Sequence, residues 1–307
     1  MSARAALAAK EKRPVAAALL MLAAVTCFAC MSALVRHISE SLPPLEIAFF
    51  RNFLGLLILL PWLWRAGALG VLRTKRFGQY MLRAAVNVVS MLAWFTAVPL
   101  LPLADLTALG FTGPLWATLL AALMLGETVR ARRWTATLVG FLGALIILQP
   151  GFREFNVGAV LVLFSAASWA LVTILIRTLT ATEDARAIVT YQVLLMAPLS
   201  LVPALFVWEW PGPEAFLWLC LLAAVATVGH LCHVRACALQ EVTALQPLDF
   251  AKLPVIAILA FIFFDELPTV WVWAGAAVIF ASGSYISWRE ARLKAAASAP
   301  APLRSAA

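Results

Sequence analysis

Long apolar stretches follow one another along almost the whole chain, and short polar links separate them. A helix that crosses a bilayer needs about 20 mainly apolar residues. Ten stretches approach or exceed that length, and they lie at residues 14–35, 45–64, 77–100, 103–125, 134–150, 157–178, 186–208, 214–239, 242–264 and 270–288. The pattern therefore predicts an all-α integral membrane protein with ten transmembrane helices, flanked by an N-terminal tail at residues 1–13 and a C-terminal tail at residues 289–307.

Composition agrees with a membrane assignment. Of the 307 residues, 64% are hydrophobic and 12% are charged, whereas a soluble domain is about 45–50% apolar and about 25% charged. The net charge of +8 would suit a nucleic-acid partner, but the basic residues cluster in links and tails. We therefore expect contact with the lipid bilayer and no nucleic acid. The five cysteines all lie within apolar stretches, where we expect small buried thiols and no disulfide framework.

Lysine and arginine predict the orientation of the chain. If the N-terminus lies in the cytoplasm, most basic residues fall in cytoplasmic links and tails, and the opposite side receives Arg36 and Arg153. Cytoplasmic links of membrane proteins are enriched in basic residues. We therefore expect both the N-terminus and the C-terminus to face the cytoplasm.

The two halves of the chain resemble each other. Glu127 ends the fourth apolar stretch and Glu266 ends the ninth, and a tryptophan follows each of them seven residues later. The triplet Thr-Ala-Leu begins both stretches, and each stretch carries a proline near its middle. Because each half holds five helices, the second half enters the membrane from the opposite side. The sequence thus predicts a 5+5 inverted repeat of residues 14–150 and 151–288, an arrangement in which transporters bind substrate near mid-membrane.

Similarity to a known family runs through nearly the whole chain. It is carried by ADLTALGFTGPLWATLLAALMLGETVRARRW and GFLGALIILQPG in the first half, and by GHLCHVRACAL, LQPLDFAKL and FDELPTVWVWAGAAVIFASGSYISWREAR in the second. These segments resemble EamA-type members of the drug/metabolite transporter (DMT) superfamily, which are ten-helix permeases built as two EamA repeats. One departure is Phe250, where relatives often carry tyrosine, and this change removes a hydroxyl group near the expected cavity.

The resemblance implies an architecture and a function. The first, third, fourth, sixth, eighth and ninth helices would line a central cavity, and the second and seventh would lie at the periphery and help to gate it. The fifth and tenth helices would pack at the back, where such proteins often form a homodimer. The implied function is movement of a small metabolite, such as an amino acid, amine, nucleoside or vitamin, across the bacterial inner membrane in either direction, without a cofactor.

Charged side chains within the apolar stretches are the first candidates for a site. A charge inside a spanning helix costs roughly 2.5–3.5 kcal/mol on insertion scales, so it faces a protein interior or a water-filled cavity. Asp249 and Lys252 are three residues apart in the ninth stretch, which predicts a shared helix face. We expect this pair to bind substrate or relay a proton, and a structural ion pair is the alternative. Arg51 needs a partner, which Glu46 or another helix would supply, and a gating or structural role is predicted for both.

Two histidines lie three residues apart in the eighth stretch, His230 and His233. Histidine titrates near neutral pH, so we predict that His230 binds substrate or carries a proton in the cavity. A histidine that packs between helices is the alternative. A metal site would need further ligands, and the neighbouring sequence provides none that is evident.

Aromatic and amide side chains complete the predicted substrate-binding set. Trp94, Trp116 and Trp169 lie in helices that are expected to line the cavity, where aromatic walls suit flat or cationic substrates. Interfacial belts are the alternative explanation, since the chain contains 12 tryptophans and many mark the membrane surface. Asn87 and Phe250 are the remaining members of the set.

Prolines and glutamates are predicted to shape the fourth and ninth helices. Each helix carries a proline at mid-length, Pro114 and Pro254. Gly110 and Gly113 with Pro114, and Gln246-Pro247 in the ninth stretch, are expected to bend or break the two helices. A broken helix end presents backbone donors to a substrate. Glu127 and Glu266 end the same two helices near opposite surfaces, and we expect them to cap helices or pair with links.

These features together predict a secondary transporter that works by alternating access. The chain contains neither the ATP-binding pattern G-x-x-x-x-G-K-[ST] nor the hydrolase patterns H-E-x-x-H and G-x-S-x-G. A substrate gradient or proton coupling would therefore supply the energy, with His230 or Asp249 as the proton carrier. An intramembrane enzyme and a ligand-binding receptor without net transport are the alternatives.

Overall fold

The structure is a computed structural model, and it describes residues 14–65, 74, 76–124, 131–149, 156–180, 183, 185–239, 245 and 248–298. These residues form eleven α-helices and no β-strand. In chain order the helices are α1 (Pro14–Ile38), α2 (Pro44–Arg65), α3 (Phe77–Ala97), α4 (Leu103–Gly110), α5 (Gly113–Met124), α6 (Ala131–Leu148), α7 (Val157–Thr180), α8 (Ala185–Ala204), α9 (Pro213–Leu239), α10 (Lys252–Phe264) and α11 (Val270–Ser298). The predicted all-α class is confirmed.

Length and hydropathy mark most of these helices as membrane-spanning. Among the described residues, seven helical stretches are long and apolar enough to cross a bilayer. Three shorter apolar helices accompany them, Trp134–Leu148, Lys252–Phe264 and Val270–Tyr285. The seven and the three fall on the ten apolar stretches of the sequence. The chain is therefore a multi-pass membrane protein, and the number of ten spanning helices stays a prediction.

Local sequence explains where several helices begin and end. Pro14, Pro44 and Pro213 are the first residues of α1, α2 and α9, a position where proline removes no helical hydrogen bond. Gln149 (φ 47°) and Asp265 (φ 54°) adopt the left-handed conformation immediately after α6 and α10, and such a residue commonly ends a helix.

The closest helix pairs join the first half of the chain to the second. α1 packs against α9, α3 against α7, α2 against α8, and α6 against α11. In the first two pairs, the first helix of one half meets the third helix of the other half. If each helix is replaced by its counterpart in the other half, the α1–α9 pair becomes the α7–α3 pair, and the reverse is also true. This is the pattern expected for two similar halves related by a two-fold axis.

The α6–α11 pair is a close backbone contact. A Cβ atom added to Gly275 would lie 2.5 Å from the carbonyl oxygen of Gly143, so the two backbones touch at this point. Ser282 Oγ, further along α11, donates a hydrogen bond to the carbonyl oxygen of Ala136 on α6. The sequence repeat aligns Ala136 with Gly275 and Gly143 with Ser282. Each contact is thus the repeat image of the other.

A continuous apolar core fills the centre of these pairs. Five helices from both halves each contribute a side chain that is 2% exposed or less: Ile47, Phe95, Leu106, Ile147 and Ile256. Leu217 (70% exposed) and Ile262 (64%) lie on outer helix faces. Because the outer helix faces are apolar as well, an exposed apolar residue there says nothing about a functional site. Exposed residues on the inner faces are the ones to consider as site candidates.

Candidate functional site

The fourth spanning segment is broken near mid-membrane. α4 ends at Gly110, and α5 begins at Gly113 after a turn formed by Phe111 and Thr112. The eight residues of α4 rise about 12 Å, so the break lies near the middle of a hydrocarbon layer that is about 30 Å thick. The predicted break in this segment is confirmed.

The ninth segment is also interrupted, which corrects one prediction. α10 begins only at Lys252, and Phe250 and Ala251 form a turn before it. Asp249 precedes this turn, so Asp249 and Lys252 do not share the face of one continuous helix, and no ion pair joins them within the described residues. Pro254 lies in the first turn of α10, where it fits without distorting the helix, so the turn at residues 250–251 makes the break.

Pro114 occupies the corresponding place in the first half, because it is the second residue of α5. Both prolines therefore begin helices that start inside the membrane. Neither proline bends a continuous helix at mid-length. A break is present in both segments, and the adjacent turns supply the change of direction. Gln246 and Pro247 lie outside the described residues.

His230 lies on the inward face of α9. It follows Ala226, Ala223 and Leu219 along this face, and these three side chains are 0–1% exposed. The exposed residues of α9, such as Leu217, lie on the opposite face. The His230 side chain has accessible surface, although protein atoms surround it on most sides. That this inward-facing ring lines a cavity stays a prediction.

Phe28 on α1 packs against both histidines. Its ring lies edge-on to the His230 imidazole, with 5.1 Å between the centroids, and 6.2 Å from the His233 ring. His230 Nδ1 lies 3.1 Å from the Ala226 carbonyl oxygen, which fixes the ring against α9. Phe28 was absent from the predicted site, because a phenylalanine in an apolar stretch gives no signal of its own.

Trp169 repeats the same situation on α7. It follows Val162 (0% exposed) along the inner face of the helix, on the side opposite Val160 and Phe164, which are nearly half exposed. Trp169 is itself 50% exposed. The tryptophan therefore lies on the inward side of α7, in the same half of the chain as His230, and its role in a cavity stays a prediction.

Lys252 and Trp94 meet beside the two helix breaks. Lys252 Nζ lies 4.9 Å from the centroid of the Trp94 ring, which is the geometry of a cation–π contact. A Cβ atom added to Gly110 would lie 2.8 Å from the edge of the same indole. Glycine at position 110 thus makes room for Trp94, and the indole is held between the end of α4 and the start of α10.

The other predicted aromatic residues pack against neighbouring rings. Phe250 lies 4.3 Å from both Phe111 and Phe280, measured between ring centroids, and so braces the turn before α10. The Trp116 ring contacts Phe141 on α6 at 5.1 Å, and its Nε1 is buried without a hydrogen-bond partner among the described residues. Phe250 and Trp116 thus lie next to the helix breaks and pack against neighbouring aromatic rings.

Arg51 and Glu46 do not pair, contrary to one expectation. Arg51 Nη1 donates to Asn52 Oδ1 at 2.8 Å, and the Asn52 amide donates in turn to Ser200 Oγ at 3.1 Å. Glu46 is fully buried and accepts a hydrogen bond from the backbone nitrogen of Glu209 at 3.0 Å. Neighbours on one face of a helix are three or four residues apart. The five-residue spacing therefore points the Glu46 and Arg51 side chains in different directions.

Asn87 makes a packing contact. It is 3% exposed, and its amide donates to Met196 Sδ at 3.4 Å, which joins α3 to α8. Ser90 and Ser165 exchange hydrogen bonds between α3 and α7 one turn further along. Buried polar contacts of this kind hold spanning helices together.

One end of the bundle, called the Glu266 end below, is closed by an ion pair. Arg36 Nη2 donates to Glu266 Oε1 at 2.7 Å, and Arg36 Nη1 donates to the carbonyl oxygens of Val98 and Leu101. Glu266 Oε2 accepts from the backbone nitrogen of Leu103, the first residue of α4, at 2.9 Å. These are the contacts of a capping and link-pairing carboxylate. Its repeat counterpart, Glu127, lies outside the described residues.

The opposite end, called the Glu183 end, carries a polar cluster that sequence reasoning missed. Glu183 accepts hydrogen bonds from Thr74 Oγ1 at 3.1 Å and from the Tyr80 hydroxyl at 3.2 Å. Arg83 Nη2 donates to Gln192 Oε1 at 2.5 Å, and Arg83 is 5% exposed. The sequence does show Arg83 as an arginine within an apolar stretch. It does not show which residues of α8 are its hydrogen-bond partners.

Metal chemistry finds no support in this arrangement. No group of three or more potential ligands comes together among the described residues. A shallow groove at the Glu266 end of α9 is lined by Glu214, Leu217, Trp218 and Leu221, and it contains none of the predicted site residues. The inward-facing side chains near the two helix breaks are therefore the candidate site.

Comparison with known proteins identifies the class of protein. The model of the EamA-like transporter family matches residues 15–149 and again residues 156–288, so this chain belongs to that family. It is a bacterial inner-membrane transporter of a small molecule, and not an enzyme.

Individual relatives cover nearly the same length. A riboflavin transporter of Vibrio cholerae serotype O1 is 32% identical over 92% of this chain and 96% of its own, and one of Rhizobium johnstonii is 31% identical over 93% and 95%. An S-adenosylmethionine uptake transporter of Rickettsia prowazekii is 27% identical over 83% and 86%. A solved crystal structure with 17% identity has a TM-score of 0.62 over 91% of this chain and 98% of its own, so the two share a fold.

Proposed function

We propose that this protein is a secondary transporter that moves a planar metabolite by alternating access around a cavity between two inverted repeats. The repeats are residues 14–150 and 151–288, each with five spanning helices, and both termini lie in the cytoplasm. The exchange of the α1–α9 and α3–α7 pairs under the repeat supports this arrangement. Two matching halves that rock about a central site would expose it to each side of the membrane in turn.

The observation that carries the proposal is the exposure of His230 and Trp169 on inner helix faces. A transporter needs a hydrated space at mid-membrane, which His230 and Trp169 would line from the second half of the chain and Phe28 and Trp94 from the first. Phe28, Trp94 and Trp169 give that space three aromatic surfaces. Flat aromatic walls suit a planar ring, so riboflavin, the molecule named for two of the relatives, is the first candidate substrate and S-adenosylmethionine the second.

The polar groups of the cavity would contact the substrate or a coupling proton. Lys252, Asp249 and His230 are the residues proposed for these roles, with Trp94 and Trp169 as stacking surfaces. Phe250 and Trp116 would support them from behind. Proton coupling through His230 or Asp249, and homodimer formation through the lipid-exposed faces of α6 and α11, stay predictions.

Uptake of riboflavin into sealed liposomes containing purified protein tests the function directly. We expect flavin to accumulate, and Trp169→Ala to slow the uptake several-fold, because an aromatic contact contributes about 0.5–1.5 kcal/mol. Trp64→Ala is the matched control, since Trp64 is 77% exposed on the lipid side of α2 and should have no effect. Repeating the assay with an imposed pH gradient, for the native chain and His230→Phe, tests proton coupling.

The alternatives predict other results in the same assay. Binding of a ligand without flux would favour a receptor, and absence of flux for pooled vitamins, amines, amino acids and nucleosides would refute the transporter proposal. Loss of uptake in Trp64→Ala as large as in Trp169→Ala would remove Trp169 from the site.

Single-cysteine labelling tests the proposed topology. In a variant without the five native cysteines, Thr269→Cys in the link between α10 and α11 should react with a membrane-impermeant reagent added outside intact cells. Arg65→Cys at the end of α2 should react only after the membrane is opened. The reverse pattern would contradict the cytoplasmic placement of both termini.

A further inference from the structure

Lys252 has few direct contacts for a charged group in the membrane interior. Within the described residues its ammonium group contacts the Trp94 ring. The Asp249 carboxylate acts on it electrostatically but forms no ion pair with it. A cation–π contact is weak compared with the cost of removing a charge from water. The ammonium group therefore has unused hydrogen-bonding capacity at the place where the two helix breaks meet.

Arg51 adds a second positive charge on the same inner side. It lies one turn from Gly55, where an added Cβ atom would be 3.4 Å from Thr227 Oγ1 on α9, and His230 follows Thr227 by one turn. The guanidinium group of Arg51 is partly exposed and donates to the neutral amide of Asn52. Neither cation thus forms a direct ion pair within the described part of the chain, and Asp249 is the acid that acts on Lys252 from a greater distance.

Acidic residues do not balance these two charges. Asp249, in the turn before α10, brings one carboxylate to the region. Asp105 is 6% exposed in the first turn of α4, which lies toward the Glu266 end. Glu46 and Glu266 are engaged at that end as well. Among the described residues, two cations, Lys252 and Arg51, therefore accompany one carboxylate, Asp249, in this part of the bundle.

We propose that Lys252 selects the substrate by charge, and that the substrate is a planar ring with a carbonyl-rich or anionic edge rather than a cation. The inference rests on the proposed function and deepens it. A carbonyl or anionic oxygen would accept a charge-assisted hydrogen bond from Lys252, which is stronger than the contact with the indole. The ammonium group would then leave the face of Trp94, and the freed indole would stack on the ring of the substrate.

The same charges act against a cationic substrate. A cation placed against Trp94 would displace Lys252 from its aromatic partner and would lie close to its ammonium group in a medium of low dielectric constant. Like charges brought together in a desolvated site repel each other strongly. Of the two molecules named for the relatives, riboflavin carries a ring with two carbonyl groups, whereas S-adenosylmethionine carries a sulfonium cation. The charge balance favours the first.

Competition in the native protein is the first test. Riboflavin fluorescence, which is quenched when the ring stacks on tryptophan, reports binding to the purified protein in detergent. We expect riboflavin to lose fluorescence when it binds, and S-adenosylmethionine to displace it only at concentrations at least tenfold above those at which riboflavin itself binds. Equal competition by S-adenosylmethionine, or absence of riboflavin binding, would overturn the inference.

Substitution of Lys252 is the second test. Lys252→Met keeps the length of the side chain and removes the charge, and we expect it to weaken riboflavin binding at least tenfold and to shift the riboflavin-to-S-adenosylmethionine preference at least tenfold toward the cation. Lys252→Arg should retain riboflavin affinity within about threefold. Arg65→Met, which removes an exposed charge at the end of α2, is the control and should change neither value.

A change of preference separates charge selection from a folding defect, because misfolding lowers both affinities together. Unchanged riboflavin affinity in Lys252→Met would overturn the role of Lys252. Liposome flux distinguishes this result from failure of the proposed function: transport of a cation or of a non-planar metabolite would sustain the transporter and refute the substrate class.

Discussion

Arg36→Ala should destabilise the protein by about 1–3 kcal/mol, although Arg36 lies at the surface end of α1. The side chains of Arg36 and Glu266 are 24% and 19% exposed, which places their ion pair between exposed pairs worth about 0–1 kcal/mol and buried pairs whose disruption costs about 3–5 kcal/mol. The substitution also leaves the carbonyl oxygens of Val98 and Leu101 without their donor, and unpaired buried acceptors add to the cost.

Thermal unfolding in detergent would measure this effect, and two further variants would apportion it. Arg36→Lys should be intermediate, because a single ammonium group does not reproduce the forked geometry that reaches Glu266 and two carbonyls at once. Glu266→Gln should cost less than Arg36→Ala, since the amide oxygen still accepts from Arg36 or from Leu103. A double-mutant cycle isolates the pair, and an unchanged unfolding temperature in Arg36→Ala would refute the assigned contact.

Gly275→Ala should be strongly destabilising, whereas Gly283→Ala on the same helix should not. The new Cβ atom at position 275 would lie 2.5 Å from both the Gly143 carbonyl oxygen and Ile147 Cγ1. Because one of these neighbours is backbone, α6 and α11 must move apart, and overpacking of this kind costs about 1–3 kcal/mol.

Gly283 is the matched control for this prediction. An added Cβ atom there would meet Pro114 at 3.9 Å or more, which is ordinary contact, and alanine is the better helix former by about 1 kcal/mol. We therefore expect Gly283→Ala to unfold at the native temperature or above it, and Gly275→Ala to unfold earlier with a lower yield of folded protein. Equal behaviour of the two variants would mean that the α6–α11 contact is looser than described.

The membrane class, the positions of the apolar stretches and the family followed from the sequence, because each depends on local composition or on a contiguous motif. The break at Phe111–Thr112 was also predictable, since Gly110, Gly113 and Pro114 are poor helix interior residues. A bend or break of the ninth helix was predicted as well, but its place at residues 250–251 was not. The i, i+3 spacing of Asp249 and Lys252 therefore predicted a shared helix face that the structure does not have.

Contacts between distant segments were beyond the reach of sequence reasoning. Arg36 and Glu266 are separated by 230 positions, and nothing in either neighbourhood identifies the other as a partner. The pairing of Glu46 with Arg51 was considered because both were near, and the structure gives each a different partner. Similarly, Gly143 and Gly275 are two of 15 glycines, and only packing distinguishes them from the rest.

The exchange of partners between the two halves has a consequence for evolution of the fold. α1 is covered by α9, and α3 is covered by α7, so neither half buries the principal faces of its own first and third helices. A half-length ancestor would have left these faces bare and would have required a second copy to cover them. In the inverted arrangement proposed above, that second copy would have crossed the membrane in the opposite orientation. The ancestor would therefore have needed to insert in both orientations, and fusion of two gene copies would have joined the two orientations in one chain.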